Sequence, residues 1–436
     1  MDVTTPSGTS DGAGLHARAL LTVDEHLAAV LAAVVPVPAR TVPLADALGA
    51  TLAAPARAVI DLPPFDNSAM DGFAVHHVDV AAANADAPVR LRVVADLPAG
   101  SAVDPAIGTG EAARIMTGSP LPTAADTIVP FEDTVGGLAD SLGVIAVASA
   151  PARRGVHVRR RGEDTRRGDV VLPAGTLLGP LQIGALAAVG ISEVTAAVAP
   201  RVVVVSTGSE LVPLERLGSA TGAEGVRLER GQIPESNGIL LAGVIAATGA
   251  RVVRREIVDD EGSALRALLD EVTTGPDAAD AVVFTGGVSA GAYEVVRQTV
   301  SQMTFGKVAM QPGKPQGFGL AGRTLLFGLP GNPVSAAVSF EVFVRPALLA
   351  LQGRTEVRRP LLRIPAAVGW RTPAGRRQYL PVTIDRTDPA VWRAAPASSG
   401  GSHLAGRLGG AEGYAVVAAE VDAVAAGDLV DVMLID

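Results

Sequence analysis

Phe65-Asp-Asn-Ser-Ala-Met-Asp-Gly-Phe-Ala-Val75 places two carboxylates, an amide and a hydroxyl within the six residues Asp66 to Asp71, directly after Pro63-Pro64. Tandem proline blocks a helix and pushes the residue before each proline into an extended conformation. The string therefore predicts an exposed turn carrying Asp66, Asn67, Ser68 and Asp71, with oxygens free to face a ligand or a hard cation. A solvated Asx-rich turn of no chemical consequence uses the same residue types.

A second group of polar residues follows apolar runs farther along. Thr207-Gly-Ser-Glu210, Asp259-Asp260, Thr285-Gly-Gly-Val-Ser289, Gln311-Pro-Gly-Lys-Pro315 and Gly328-Leu-Pro-Gly-Asn-Pro333 each close such a run. Each piece has a use toward a phosphorylated ligand. Gly286 and Gly287 let backbone N–H groups approach phosphate oxygens. Asn332 can cap the next helix with Pro333 in its first turn, giving a positive helix end suited to an anion. Lys314 is a single cation on a loop stiffened by two prolines. Glu210 and Asp259 are placed to hold Mg²⁺ against a phosphoanhydride. The chain has no Gly-x-x-x-x-Gly-Lys-Ser/Thr motif, which disfavours an ordinary P-loop NTPase.

The elements that position these residues follow from the patterning. Thr22-Val-Asp-Glu25 is a capping box and opens a helix ending near Pro36. From about Thr41 to Pro200, short apolar runs broken by Pro, Gly and Asp read as β structure, followed by a short helix at Leu181–Val189. From Arg201 strands and helices alternate. Strands are expected at Arg201–Ser206, Arg251–Val258, Ala281–Thr285, Lys307–Met310 and Thr324–Gly328. Helices are expected at Asn237–Ala247, Ser263–Val272, Val295–Ser301 and Val334–Leu351. That order predicts a parallel, doubly wound sheet whose ligand site lies beyond the strands' carboxyl ends. After Pro360, short strands and Gly-rich turns predict a small β-barrel. The expected fold class is thus a multi-domain α/β protein: a parallel doubly wound domain, mostly-β domains and a C-terminal β-barrel.

Composition excludes several classes of function. The 436 residues are 48% apolar and 19% charged, too hydrophobic for a disordered chain, and only 3% aromatic, so cores must be built from Ala, Val and Leu. Thirty-six basic against 45 acidic side chains give a net charge of −9, which argues against nucleic acid or anionic lipid as a partner. Seven arginines crowd Arg153–Arg167, but Glu163, Asp164 and Asp169 interleave them and no aromatic is present for base stacking, so a salt-bridged face is expected. The absence of cysteine excludes disulfides, thiolate metal sites and cysteine nucleophiles, and suits the cytoplasm. Leu325–Val344 is interrupted by Pro330, Asn332, Pro333 and Glu341, so no membrane span is expected there.

Together with the 65–75 string, Arg114-Ile-Met-Thr-Gly118, Arg160-Arg-Gly-Glu-Asp164, Ser206-Thr-Gly-Ser-Glu-Leu211, Thr285–Ser289, Pro312-Gly-Lys-Pro315 and Gly328-Leu-Pro-Gly-Asn-Pro-Val-Ser335 resemble, in order, the motifs of the MoeA and gephyrin E-domain family. Those proteins insert molybdenum into adenylylated molybdopterin. The resemblance implies four domains: an elongated one from 41–60 and 154–200, a β-rich one at 61–153 carrying the Asp66 loop, a MogA-like α/β domain at 201–355 and a barrel at 356–436. Residues 1–19 are expected to be a disordered leader, and 20–40 a helix packing near the α/β domain. The resemblance also implies an elongated homodimer with the active site between subunits, contact with a MogA-like adenylyltransferase, and Mg²⁺ as cofactor. Molybdate and molybdopterin-AMP would be the substrates.

By matching positions, Asp66, Thr117, Asp164, Glu210, Asp259 and Lys314 fall where the family keeps functional residues. Glu294 stands where an Asp is usual, keeping the charge with longer reach, and Gln311 stands where a basic residue is frequent. The same motifs make Ser68, Gly208, Gly286, Gly287, Ser289, Pro315, Pro330, Gly331 and Asn332 candidates for substrate binding. Arg376 and Ser402 resemble positions near the family's molybdate pocket, although locally they read as a solvated arginine and a turn serine. The implied activity is cleavage of the phosphoanhydride and release of AMP and molybdenum cofactor. The dithiolene sulfurs that hold molybdenum belong to the pterin, so the lack of cysteine is no obstacle. Two alternatives remain: adenylylation of molybdopterin itself, which the full flanking domains argue against, and a non-catalytic scaffold, which the intact Asp66, Glu210 and Asp259 argue against.

Overall fold

The computed structural model describes residues 20–217, 228–289, 294–397 and 404–435; the expected leader and Ser402 lie outside them. Two compact units result, one formed by Ala39–Ala196 and the other by the described residues on either side of it.

The Ala39–Ala196 unit is built on a six-stranded sheet. Its spatial order is Thr127–Pro130, Gly72–Val75, Glu111–Ile115, Val89–Leu97, Val144–Val147 and Thr134–Val135. Phe73 and Val75 alternate with Ala74 along the second strand, and each set meets its own apolar cluster. Both faces of the sheet are therefore buried, as strict alternation of side chains allows when both faces are covered. Gly72 is forced by packing: a Cβ there would lie 2.1 Å from the Val129 carbonyl oxygen. A separate cluster of Leu44, Leu52, Leu178, Leu186 and Val194 joins the two flanks of the unit, where Ala56–Arg57 pairs antiparallel with Val170–Leu172.

The second unit carries the alternating region. We number the strands of its six-stranded sheet β1 (Arg201–Thr207), β2 (Arg251–Val258), β3 (Ala281–Thr285), β4 (Met303–Lys307), β5 (Pro315–Ala321) and β6 (Thr324–Leu329), in the spatial order β2-β1-β3-β6-β5-β4. β2, β1, β3 and β6 are mutually parallel. β5 runs antiparallel to both β6 and β4. The sheet is thus mixed, not wholly parallel, and the strand expected at Lys307–Met310 is instead Met303–Lys307. β5 escaped the sequence reading because Gly317 and Gly319 disguise it. Glycine is required there, since a Cβ on Gly317 would meet the Phe305 ring at 2.7 Å and one on Gly319 would meet the Gln302 carbonyl at 2.1 Å. Because β5 begins where β4 ends, the loop between them still falls on the edge formed by the carboxyl ends of the parallel strands.

Val202, Val204, Val283, Phe327 and Leu329 face a layer that includes Leu241, Ile245, Phe340, Val344 and Leu348. Val203, Val205, Val282, Phe284 and Leu326 face Leu265, Leu268, Leu269 and Val296. Near-continuous apolar strands are what a sheet covered on both faces demands. The helix Pro333–Leu351 is long and apolar enough to cross a membrane, and most of it is buried within this unit. It is not uniform: Phe340–Val344 is a π turn between two α segments. The widened turn precedes Pro346, whose missing N–H and ring would break a regular helix.

The C-terminal strands form a sheet in the order Met310–Gln311, Arg377–Asp385, Gly413–Val417, Leu429–Leu434 and Leu361–Pro365, with Arg393–Pro396 also paired to Arg377–Asp385. A bridge between Ala366 and Ala394 brings its two sides together and leaves a nearly closed barrel around Leu380, Val382, Ala415 and Val432. The N-terminal helix Val23–Ala32, with the expected Thr22/Glu25 capping box, packs Val23 and Leu27 against Phe343, Tyr379 and Met433.

Candidate active site

In the Ala39–Ala196 unit the 65–75 string is only partly exposed. Asn67 and Ser68 are buried and form a short strand with Val158–Arg159. The Ser68 hydroxyl donates to the Met70 carbonyl at 2.5 Å. The expectation of a fully exposed turn is corrected accordingly: its two carboxylates reach the surface, while the residues between them pair with backbone. Asp66 Oδ1 accepts the Arg161 N–H at 2.8 Å and Oδ2 meets Arg160 Nη1 at 2.6 Å. Burial works to raise the Asp66 pKa, but these two donors outweigh it and hold the carboxyl below its usual 3.8.

Asp71 accepts both the backbone N–H and the hydroxyl of Thr117. Asp164 is exposed, and its backbone N–H reaches the Leu62 carbonyl at 3.1 Å. Asp66, Thr117 and Asp164 therefore sit on three neighbouring loops tied by backbone bonds, among them Gly118 N–H to Ser68 and Leu121 N–H to Asp66. Three arginines of the 153–167 run pair with acids: Arg154 with Asp126, Arg160 with Asp66 and Arg161 with Asp61.

In the second unit the polar turns converge. A cleft of about 990 Å³ is lined by Gly208, Glu210, Gly286, Gly287, Ser289, Glu294, Lys314, Pro315, Pro330, Gly331, Asn332 and Arg376, all expected from the sequence. The sheet order ranks them along one edge. Acids follow β2 and β1, glycines follow β3 and β6, and Lys314 precedes β5. Adjacent strands lie about 4.8 Å apart, so roughly 14 Å separates the β1 end from the β5 end. The edge suits an elongated ligand.

At the acidic end the two adjacent aspartates differ in their surroundings. Asp260, not Asp259, lines the cleft. Asp259 Oδ1 accepts the Glu261 N–H at 3.1 Å within its own turn. Asp260 Oδ2 accepts from the Ser209 N–H at 3.2 Å and from the Ser209 hydroxyl at 3.0 Å, tying the two acidic loops together. A Cβ on Gly208, where φ is +147°, would fall 2.5 Å from Glu210 Oε2, so glycine leaves the room that the carboxylate occupies.

In the middle, Gly286 and Gly287 have φ of +88° and +63°, and a Cβ on either would meet the Thr207 hydroxyl within 3.0 Å. Asn237 Nδ2 donates to Thr285 Oγ1 at 2.9 Å and to the Gly331 carbonyl at 2.6 Å, stitching the β3 and β6 loops. Its Oδ1 is buried without a hydrogen-bond partner among the described residues. Glu294 Oε2 accepts the Ser289 N–H at 2.7 Å. Asn332 occupies the N-cap with Pro333 behind it, but its side chain makes no capping bond, contrary to expectation.

At the basic end, buried Gln316 donates to the Gly313 carbonyl at 2.6 Å and to Ser339 Oγ at 2.7 Å. Lys314 O accepts from the Val308 N–H at 2.8 Å. The loop is thus rigid, while among the described residues Lys314 makes no ion pair. Arg376 Nη1 donates to Gln311 Oε1 at 2.7 Å.

Glu235, Asn237 and Asp260 line the cleft and were not among the sequence candidates. Pro234-Glu-Ser-Asn237, an acid, a hydroxyl and an amide ahead of an apolar helix, was the available signal for the first two. Asp260 was visible only as part of the pair Asp259-Asp260, because adjacent aspartates are indistinguishable until the turn is built.

A cleft at the carboxyl edge of an α/β sheet, with acids, backbone-exposing glycines and cations in sequence, defines a binding domain for an extended, charged small molecule. Models of the MoeA N-terminal region (domain I and II), a "Probable molybdopterin binding domain" and the MoeA C-terminal region (domain IV) match residues 21–190, 203–350 and 363–435. Molybdopterin molybdenumtransferase 2 of Mycobacterium tuberculosis is 40% identical over 396 residues, covering 89% of this chain and 93% of that protein. Molybdopterin molybdenumtransferase of Staphylococcus aureus is 35% identical, covering 73% of each. A solved molybdopterin biosynthesis MoeA protein of Pyrococcus horikoshii is 30% identical with a TM-score of 0.77, covering 96% of this chain and 100% of that one. The chain belongs to the MoeA family.

Proposed function

We propose that this chain is a molybdopterin molybdenumtransferase, taking molybdate and adenylylated molybdopterin to molybdenum cofactor and AMP. The observation that carries the reading is the order of groups along the cleft: Glu210 and Asp260, then Gly286 and Gly287, then Lys314 and Arg376. A phosphoanhydride fits against the glycine-lined middle, where backbone can approach its oxygens. Lys314 and Arg376 attract the molybdate anion. Glu210 and Asp260 are hard oxygen donors that fit Mg²⁺. Two protein carboxylates suit a cation that takes its remaining ligands from water and phosphate. Bound there, Mg²⁺ would offset charge on the phosphoanhydride as AMP leaves.

Asp66, Thr117 and Asp164 enter this reading through a homodimer, in which the Asp66 loop of a second copy completes each cleft. A MogA-like adenylyltransferase would supply the adenylylated substrate, and the reaction would take place in the cytoplasm. The test is direct: incubate the purified protein with molybdopterin-AMP, molybdate and Mg²⁺, and follow AMP and active cofactor. Absence of AMP release from folded protein would sink the proposal. Adenylylation of molybdopterin from ATP would establish the adenylyltransferase alternative.

A further inference from the structure

We infer that Gln311 is a positioning residue for Arg376, fixing that guanidinium at the basic end of the cleft without neutralising it. The inference rests on the proposed function, in which this end takes a tetrahedral oxyanion, molybdate.

The contact is imposed by backbone. Met310–Gln311 is a strand of the barrel sheet, with Met310 opposite Arg377 and Gln311 opposite Gln378. The Arg377 N–H donates to the Ala309 carbonyl at 2.9 Å and holds that register. Arg376, one residue before the Arg377–Asp385 strand, is thereby delivered beside Gln311, and its Nη1 donates to Gln311 Oε1 at 2.7 Å. Arginine has only donors, so the amide oxygen must face it and the orientation of the Gln311 amide follows from chemistry.

The choice of acceptor matters. Neighbouring Arg377 is paired with Asp24 at 2.9 Å, and Arg359 with buried Glu341 at 2.7 Å. Among the described residues Arg376 has no carboxylate partner. An amide restricts the guanidinium as a carboxylate would, but leaves its full positive charge and its other N–H groups for an incoming oxyanion. Lys314, three residues after Gln311, lines the same cleft. The pair offers an oriented fork from Arg376 beside a point charge from Lys314, a combination suited to a tetrahedral anion.

Molybdate titrations of the full chain, followed by calorimetry and by steady-state AMP release, test this. Gln311→Ala should raise the molybdate Kd and KM about tenfold, with kcat at saturation within about twofold, because the released guanidinium must be ordered anew when the anion binds. Gln311→Glu should weaken binding further, since its carboxylate would pair with Arg376. In an Arg376→Ala background, Gln311→Ala should add nothing, as expected for a residue acting through another. Gln311→Met keeps the side-chain length without the acceptor and should show the same tenfold rise, which keeps the test open should Gln311→Ala fold poorly. If Arg376→Ala and Lys314→Ala weaken molybdate binding while Gln311→Ala and Gln311→Glu do not, this inference fails and the proposed function stands. If none of the four alters molybdate dependence, both fail.

Discussion

Thr117 gives both of its donors to one oxygen atom: its backbone N–H lies 2.7 Å and its hydroxyl 2.8 Å from Asp71 Oδ1. The 65–75 turn and the Arg114–Gly118 loop are coupled through that atom. The backbone N–H first, and then the hydroxyl, hold the Asp71 carboxyl below its ordinary 3.8. A depressed folded pKa means that the coupling is complete above the ordinary value and is lost only as pH falls through the lower, folded value.

Asp71→Ala should therefore free Thr117 and lower AMP release about tenfold, since small misplacements at a site are costly. Global stability should change little, because the pair is exposed. Amide exchange at Thr117 would rise in the variant. Full activity together with unchanged protection would contradict a positioning role for this carboxylate.

His26 sets a pH limit on the docking of the N-terminal helix. Buried against Phe343, with ring centroids 4.6 Å apart, its imidazole is brought by desolvation from 6.5 down to about 4. The unfolded chain then binds the proton more readily, so this contribution is present above pH 6.5 and is lost as pH falls toward 4. By pH 4 the loss would be about 3 kcal/mol. Urea midpoints at pH 7 and pH 5 should differ, and His26→Phe should flatten the difference. An identical pH slope in that variant would place the effect elsewhere.

Two adjacent aspartates provide a sharp contrast. Asp260 lines the cleft and Asp259 does not. Asp260→Asn should cut AMP release about a hundredfold and shift half-saturation to higher Mg²⁺, as expected when a metal-positioning carboxylate is removed. Asp259→Asn should stay within about threefold of the parent. The reverse ranking would overturn the assignment of the metal-holding carboxylate.

The proposed sharing of the site between two copies can be tested by complementation. Asp66→Asn and Glu210→Gln should each be inactive alone. Mixed heterodimers should recover part of the activity, because one of two clefts regains both residues. Verified heterodimers with no recovered activity would refute a shared site.

Local sequence was enough for the four parallel strands and for the edge they build. Val202–Val205, Ala281–Phe284 and Leu325–Phe327 are apolar without a break, which only a sheet covered on both faces accommodates. The glycines and charges that interrupt such runs must then gather at one edge, so Glu210, Gly286, Lys314 and Asn332 were legible as one site. Tertiary structure decided what depends on a partner distant in sequence. The strand holding Gly317 and Gly319 carries no strand signal until Phe305 and the Gln302 carbonyl are placed beside them. Asn67 and Ser68 read as exposed until Val158–Arg159 pairs with them. Asp260 is told apart from Asp259 by Ser209, 51 residues earlier, which supplies two donors to its carboxylate. Arg376 reads as a solvated side chain until the barrel register lays it against Gln311, 65 residues away. Propensity and alternation are properties of neighbouring residues and survive in a single sequence. The direction of a polar side chain is set by whichever donor or acceptor folding brings to it, and that information lies in the contacts alone.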